Sequence, residues 1–275
     1  TAQAQADIEA KGQQVQDDLA SCRHDPAGYV GAGATAADCA DTVLPQAAWY
    51  LDRSPLDVPS ILPGYGVGVA ILLVALLVVA GTTFAGADWA SGAMSNQLLF
   101  ESRRPRIWGA KALALAIGAL LVAALALAAF WVPIGVVAAQ RGIPVSGAVS
   151  SAIAWSLVRT LVLAVLGAVL GYGLTMLFRH TVATVALLFG VSVVAEILLG
   201  LLPFSGSGRI SPSHTVFAWL LGRTTYFDPS IKCAGADGCD QLRTLQMWPA
   251  GLLILGVLLV VGVVSVGSFQ RRDVP

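Results

Sequence analysis

The 275 residues are 56% apolar and 12% charged, with 16 Lys/Arg balanced by 16 Asp/Glu. Soluble domains carry roughly a quarter charged residues, so the composition describes an integral membrane protein, and a net charge of zero gives no basic footprint for a nucleic-acid partner. A transmembrane β-barrel would alternate in segments of about ten residues; the apolar runs here are continuous and far longer, which excludes it.

Residues 1–21 are polar and Ala/Gln-rich, with Ile8, Val15 and Leu19 on a sparse helical stripe. They read as a helix entering a small folded segment. Residues 1–60 hold nine acids against three Lys/Arg and contain Cys22 and Cys39, so this part is expected to be an acidic, extracytoplasmic helical and loop segment. Residues 61–275 form the transmembrane domain.

A helical span needs about 20 apolar residues. The first is expected near residues 63–84, with Pro63 in its first turn and Gly64, Gly66 and Gly68 open to a close neighbour. A polar, basic island follows over 86–111, where Arg103, Arg104, Arg106 and Lys111 crowd the second half. Its Trp89, Met94, Leu98 and Leu99 suit one or two short interfacial helices. Further spans are expected near 110–137, 149–178, 182–202 and 248–269. The Arg179-His180 link turns the third span into the fourth. Between the last two spans lies an outer segment, 203–247. It contains a short amphipathic helix over 211–221, capped by Ser211 or Ser213, and a tight loop from Cys233 to Cys239.

Orientation follows from charge density. The island, the Arg179 turn and the Arg271-Arg272 tail hold seven of the sixteen Lys/Arg in short pieces. Short loops rich in Lys and Arg stay cytoplasmic, so segment 85–110 is assigned to the cytoplasm. All four cysteines then fall on the outer, oxidising side, which suggests Cys22–Cys39 and Cys233–Cys239 disulfides. Crossed pairing between the two loops, or four unpaired thiols, are the alternatives.

No Gly-x-x-x-x-Gly-Lys-Ser/Thr loop, no Gly-x-Ser-x-Gly elbow and no His/Cys/carboxylate cluster with metal-ligand spacing occurs in the sequence. No catalytic residue, metal site or cofactor is therefore assigned to this chain. Two ionisable residues fall inside spans, where charge is costly and usually functional: Arg159 in the third and Glu196 in the fourth. An antiparallel hairpin turning at Arg179-His180 sets them nearly level. We expect them to pair or to face a common polar cavity; separate snorkelling to the interface is the other reading. Gly167 and Gly171 form a small-x-x-x-small pattern, read as a packing contact inside one subunit.

The island and its flanks resemble the permease subunits of ABC-2 type transporters. The resemblance lies in Asp88-Trp89, Gly92-Ala93-Met94, Leu98-Leu99, Arg103/Arg104 and Lys111, in the helix from Ser211 to Gly222, and in the order of spans from about 61 to 272. Glu101-Ser102 stands where the family often has Pro before the Arg. The resemblance implies an all-α membrane protein with both ends cytoplasmic and six spans: the five visible here and one expected before Thr1. It implies a separate ABC ATPase subunit carrying ATP and Mg, and a second permease copy or a related permease as partner. A cytoplasmic coupling helix within 86–104 would insert into the ATPase, with Asp88, Trp89, Met94, Leu98, Arg103 and Arg104 carrying the contact. The expected function is an ATP-driven exporter of a hydrophobic or amphipathic substrate in a bacterial plasma membrane. The chain itself would not be an enzyme, and an intramembrane enzyme is disfavoured by the missing catalytic pairs. A non-transporting scaffold or sensor subunit with an acidic outer domain is the alternative.

Overall fold

The computed structural model describes residues 12–31, 34–44, 56–101, 103–201, 206–228 and 241–271. The chain forms two compact units, Thr1–Asp57 and Val58–Pro275.

The first unit contains helices α1 (Gly12–His24), α2 (Pro26–Tyr29) and α3 (Asp38–Val43). Asp25 caps α2 by accepting from the Gly28 N–H at 3.1 Å, and Pro26 opens that helix, where no N–H is needed. At the start of α3, the Asp38 carboxylate accepts from the Thr35 N–H at 2.7 Å and from its hydroxyl at 2.9 Å. These two bonds hold the Asp38 carboxyl below its ordinary range. A Cys22–Cys39 disulfide ties α1 to α3. This unit has few large apolar residues to bury, so a crosslink closing a 17-residue separation supplies order that packing does not.

The second unit begins with α4 (Val58–Ile61), a wide π-spaced turn at Leu62–Gly66, and α5 (Val67–Ala90). Pro63 has no N–H to give to the preceding turn, and the wide turn absorbs the missing bond. There follow α6 (Ala93–Phe100), α7 (Arg104–Gln140), α8 (Gly147–Phe178) and α9 (Thr181–Leu201). The helix α10 (Pro212–Leu221), the strands β1 (Arg223–Phe227) and β2 (Leu242–Gln246), and α11 (Met247–Arg271) complete the unit. Among the described residues, five helical stretches are long and apolar enough to cross a membrane: Val58–Ala90, Arg104–Gln140, Gly147–Phe178, Thr181–Leu201 and Met247–Arg271. The protein is thus helical and membrane-like, as composition requires. The apolar cores of the spans fall where the sequence puts them. The first, second and last run further at both ends, because flanking polar residues continue the helix, while the third and fourth keep their expected bounds to within two residues. At 1.5 Å per residue, α7 is about 55 Å long, well beyond the ~30 Å hydrocarbon thickness.

The two strands are a departure from an all-helical reading. They pair antiparallel, Arg223 opposite Gln246 and Phe227 opposite Leu242. The Thr-Thr-Tyr-Phe run of β1 is rich in β-formers, but without an alternating partner in view it reads as loop.

Helix α8 is the centre. It packs on α5, α7, α9, α10 and α11, and more than half of its most apolar window is buried. Its small-residue pattern is the cause. A Cβ on Gly171 would strike the Val78 carbonyl of α5, and one on Gly81 of α5 would strike the Ala168 carbonyl of α8. The backbones touch because neither glycine has a side chain. Gly167 and Gly171 therefore make a contact within the subunit, as the spacing suggests. Of the three early glycines, only Gly66 has a close neighbour, the Trp131 ring.

The spans run up and down, so the unit has two ends. The C-terminal parts of α5, α8 and α11 and the start of α7 meet at one, the island end. The β-hairpin, α10 and the C-terminal part of α9 meet at the other, the hairpin end.

Candidate functional sites at the two ends of the bundle

At the island end, the residues singled out by sequence are mostly engaged inside the protein. Asp88 and Lys111 form an ion pair between α5 and α7, and their side chains are only 19% and 15% exposed. The Trp89 ring meets Phe269 of α11 edge-on, with centroids 6.4 Å apart. The Arg179 guanidinium sits 4.6 Å above the same ring, a cation–π contact. Arg179 ends α8 with φ +58°, the one non-glycine positive φ among the described residues. That conformation costs an L-residue about 1 kcal/mol, and it carries the guanidinium over Trp89.

Met94 is 1% exposed and packs with Ala85, Tyr172, Met176 and Phe269. Leu98 leans on the same cluster. Tyr172 donates to the Trp108 carbonyl at 3.1 Å, Trp108 Nε1 donates to Ser265 Oγ at 3.2 Å, and Arg104 donates to the Phe269 carbonyl at 3.1 Å. These bonds stitch α7, α8 and α11 together. The Trp89 Nε1 and the Gln97 Oε1 are buried without a hydrogen-bond partner.

What faces outward is different. Leu99 is 83% and Phe100 93% exposed, at the end of α6. Arg103 and Arg106 lie beside them on the surface, and Arg106 is 3.9 Å from Glu101. Of the six residues expected to meet a partner, Met94 and Leu98 seat α6 on the buried cluster, Asp88, Trp89 and Arg104 join the spans around it, and Arg103 is on the surface. Phe100 and the hub residues Trp108 and Phe269 were not singled out by sequence, and Arg179 stands out there only as a turn and a cytoplasmic charge. An aromatic beside a basic run was the available signal for Phe100. Phe269 carried none, because it lies at the end of an ordinary apolar run.

At the hairpin end, Arg159 and Glu196 do not form the expected pair. No ion pair joins them among the described residues. A third element separates their roles. Glu196 of α9 receives the start of α10: Ser211 Oγ lies 3.0 and 2.9 Å from its two oxygens, and the Ser213 N–H donates at 2.6 Å. Ser211 is the helix cap and accepts from the His214 N–H at 3.4 Å. The Arg159 guanidinium instead lies against Gly222, just past the end of α10. The Trp219 indole of α10 donates to the Arg159 carbonyl at 2.9 Å. A helix carries partial positive charge at its N-terminus and partial negative charge at its C-terminus. Each intramembrane charge thus sits at the end of α10 that complements its sign.

The Cys22–Cys39 pair is present, and the second expected pair, Cys233–Cys239, lies outside the described residues. No group of three metal-ligating side chains occurs among the described residues. No family model matches the chain, and neither a curated protein nor a solved structure matches it.

Proposed function

We propose that this protein is the membrane permease subunit of an ATP-driven transporter of the ABC-2 type, working as an exporter of a hydrophobic or amphipathic substrate from a bacterial cell. ATP and Mg belong to a separate ATPase subunit, and a second copy or a related permease completes the pathway. The observation that carries this reading is the mounting of α6. A short helix projects an exposed Leu99-Phe100 pair, flanked by Arg103 and Arg106, from a hub that joins four spans. A force applied to that pair reaches α5, α7, α8 and α11 through buried contacts. Coupling requires such a rigid mount, because a motor shifts populations only through contacts that differ between states.

In this reading Leu99, Phe100 and Arg103 make the contact. Asp88, Trp89, Met94, Leu98 and Arg104 transmit it. The experiment is co-purification with a tagged ATPase subunit, taken from a neighbouring reading frame that encodes a phosphate-binding loop. Phe100→Asp and Leu99→Asp should abolish co-purification and substrate-stimulated ATP hydrolysis while the permease still inserts. Retention of the motor by both variants, or labelling that places Phe100 outside the cell, would sink the proposal.

The alternative is a scaffold or sensor subunit. It draws on the separate, disulfide-tied acidic unit. Deleting residues 1–57 separates the two: export should persist for a permease and signalling should vanish for a sensor.

A further inference from the structure

Glu196 opens onto a groove of about 500 Å³ between α5, α9 and α10. Its walls are apolar: Ile71, Phe189, Val193, Ile197, Val216 and Phe217. Among the described residues, Glu196 is the only ionisable side chain on the lining. Phe189 lies two turns back along α9, about 10 Å from Glu196 toward the island end. The groove therefore has a carboxylate at the hairpin end and a greasy floor running deeper into the span.

That carboxylate is held but not neutralised. It accepts from Ser211 and Ser213, and no cation lies within ion-pair distance among the described residues. The nearest titratable neighbour on α10 is His214. Its Nδ1 is buried without a hydrogen-bond partner and its ring packs on Tyr226; its charge acts on Glu196 through space, and no ion pair joins the two among the described residues. A carboxylate has about four lone-pair sites; the Ser211 hydroxyl, the Ser213 N–H and the Ser213 hydroxyl supply three donors, which leaves capacity for one more. A negative charge within a span is costly even when hydrogen-bonded, and an ammonium group arriving from the bilayer lowers that cost further.

We propose that this groove is a binding site for an amphiphile with an ammonium head: the head pairs with Glu196 and the apolar tail lies along Ile71, Phe189, Val193 and Ile197. A neutral amphiphile satisfies only the walls, and an anionic one is repelled. The site belongs to this chain alone, so its test needs no motor subunit and stands apart from the transport reading.

The test uses the purified full chain in phosphatidylcholine nanodiscs. The probe is a dansyl-labelled long-chain primary amine, read by energy transfer from tryptophan, with its N-acetylated form as the neutral control. Saturable binding of the amine, about tenfold or more tighter than the acetylated probe, is expected, a ratio that one charge-assisted hydrogen bond supplies. Glu196→Gln keeps an acceptor for Ser211 and Ser213, so α10 stays docked, and it should erase the difference between the probes. Ile71→Trp fills the groove with the carboxylate intact and should block both probes. Displacement by added phosphatidylethanolamine supports the site and names an aminolipid as an occupant. Equal affinity for amine and acetylated probe, unchanged amine binding in Glu196→Gln, or unchanged binding in Ile71→Trp would each overturn the proposal.

Discussion

The Asp88–Lys111 pair decides whether the island's charges are a docking surface or a mount. Both side chains are more than four-fifths buried. Replacing Asp88 by Asn leaves the Lys111 ammonium enclosed without its counter-charge. Breaking a fully buried pair costs about 3–5 kcal/mol. The residual exposure here lets water reach the orphan, so we expect about 2–3 kcal/mol. For a chain of this size that lowers the unfolding midpoint by about 5–10 °C. Removing both charges with Asp88→Leu and Lys111→Met should recover most of the loss, because the pair's desolvation cost disappears with it. The coupling between the two sites should exceed about 1.5 kcal/mol in a double-mutant cycle. The assay is thermal unfolding of the purified protein in nanodiscs, read by tryptophan fluorescence, alongside co-purification of the motor subunit. The mount account requires that stability and coupling fall together in Asp88→Asn and return together in the double variant. If Asp88→Asn unfolds within about 1 °C of wild type yet loses the motor, Asp88 touches the partner directly and the account is wrong.

Trp89→Ala should cost about 3 kcal/mol through lost packing on Phe269 and Arg179, whereas Trp89→Phe, which keeps a ring and removes a buried N–H without a partner, should cost under about 1 kcal/mol; melting of the two variants checks the order. Gly81→Ala and Gly171→Ala drive a Cβ into backbone carbonyls and should each destabilise by about 1–3 kcal/mol, while Gly64→Ala and Gly68→Ala, which meet nothing within 4 Å, should melt like wild type. Reducing Cys22–Cys39 should destabilise the first unit by about 3 kcal/mol from loop closure across 17 residues, seen as faster hydrogen exchange in peptides from α1 and α3 and not in those from α8. The Asp38 carboxyl sits lower in the folded state than in the unfolded one, so its contribution is fully present above the unfolded value of about 3.9 and is lost as pH falls through the lower folded value; exchange protection at residues 34–43 should fade at that acid edge in wild type and be absent there in Asp38→Asn.

The spans were legible because each carries a continuous apolar run of about 20 residues, far more apolar than its flanks. Gly167 and Gly171 were legible for a similar reason: a pattern at i and i+4 on one helix is local information. The same sequence gave no view of Phe269 or Trp108. Their roles arise where the ends of four spans converge, and nothing local to either residue encodes that meeting. The island shows the limit most clearly. Its polar and aromatic residues read as a partner surface because they are unusual next to a membrane. Asp88, Trp89 and Met94 are unusual for another reason: Met94 seats a short helix on the bundle, and Asp88 and Trp89 tie together the spans beneath it.

Arg159 and Glu196 extend this point to the opposite end. Both were found from sequence by the cost of charge within a span, and hairpin geometry set them nearly level. Level residues on neighbouring helices pair when nothing better is offered. Helix α10 offers something better to each. Its first turn brings a hydroxyl and an N–H to Glu196, and its C-terminal end receives the Arg159 guanidinium at Gly222. A direct Arg–Glu bond would satisfy two charges and leave both ends of α10 bare. The observed arrangement places a charge at each end of that helix and fixes its position between α8 and α9. Gly222, with φ +88° and the guanidinium against it, is where this arrangement is least tolerant of change. Any side chain there meets both the left-handed backbone and Arg159, so Gly222→Ala should release the C-terminal end of α10 while leaving its Glu196 anchor intact.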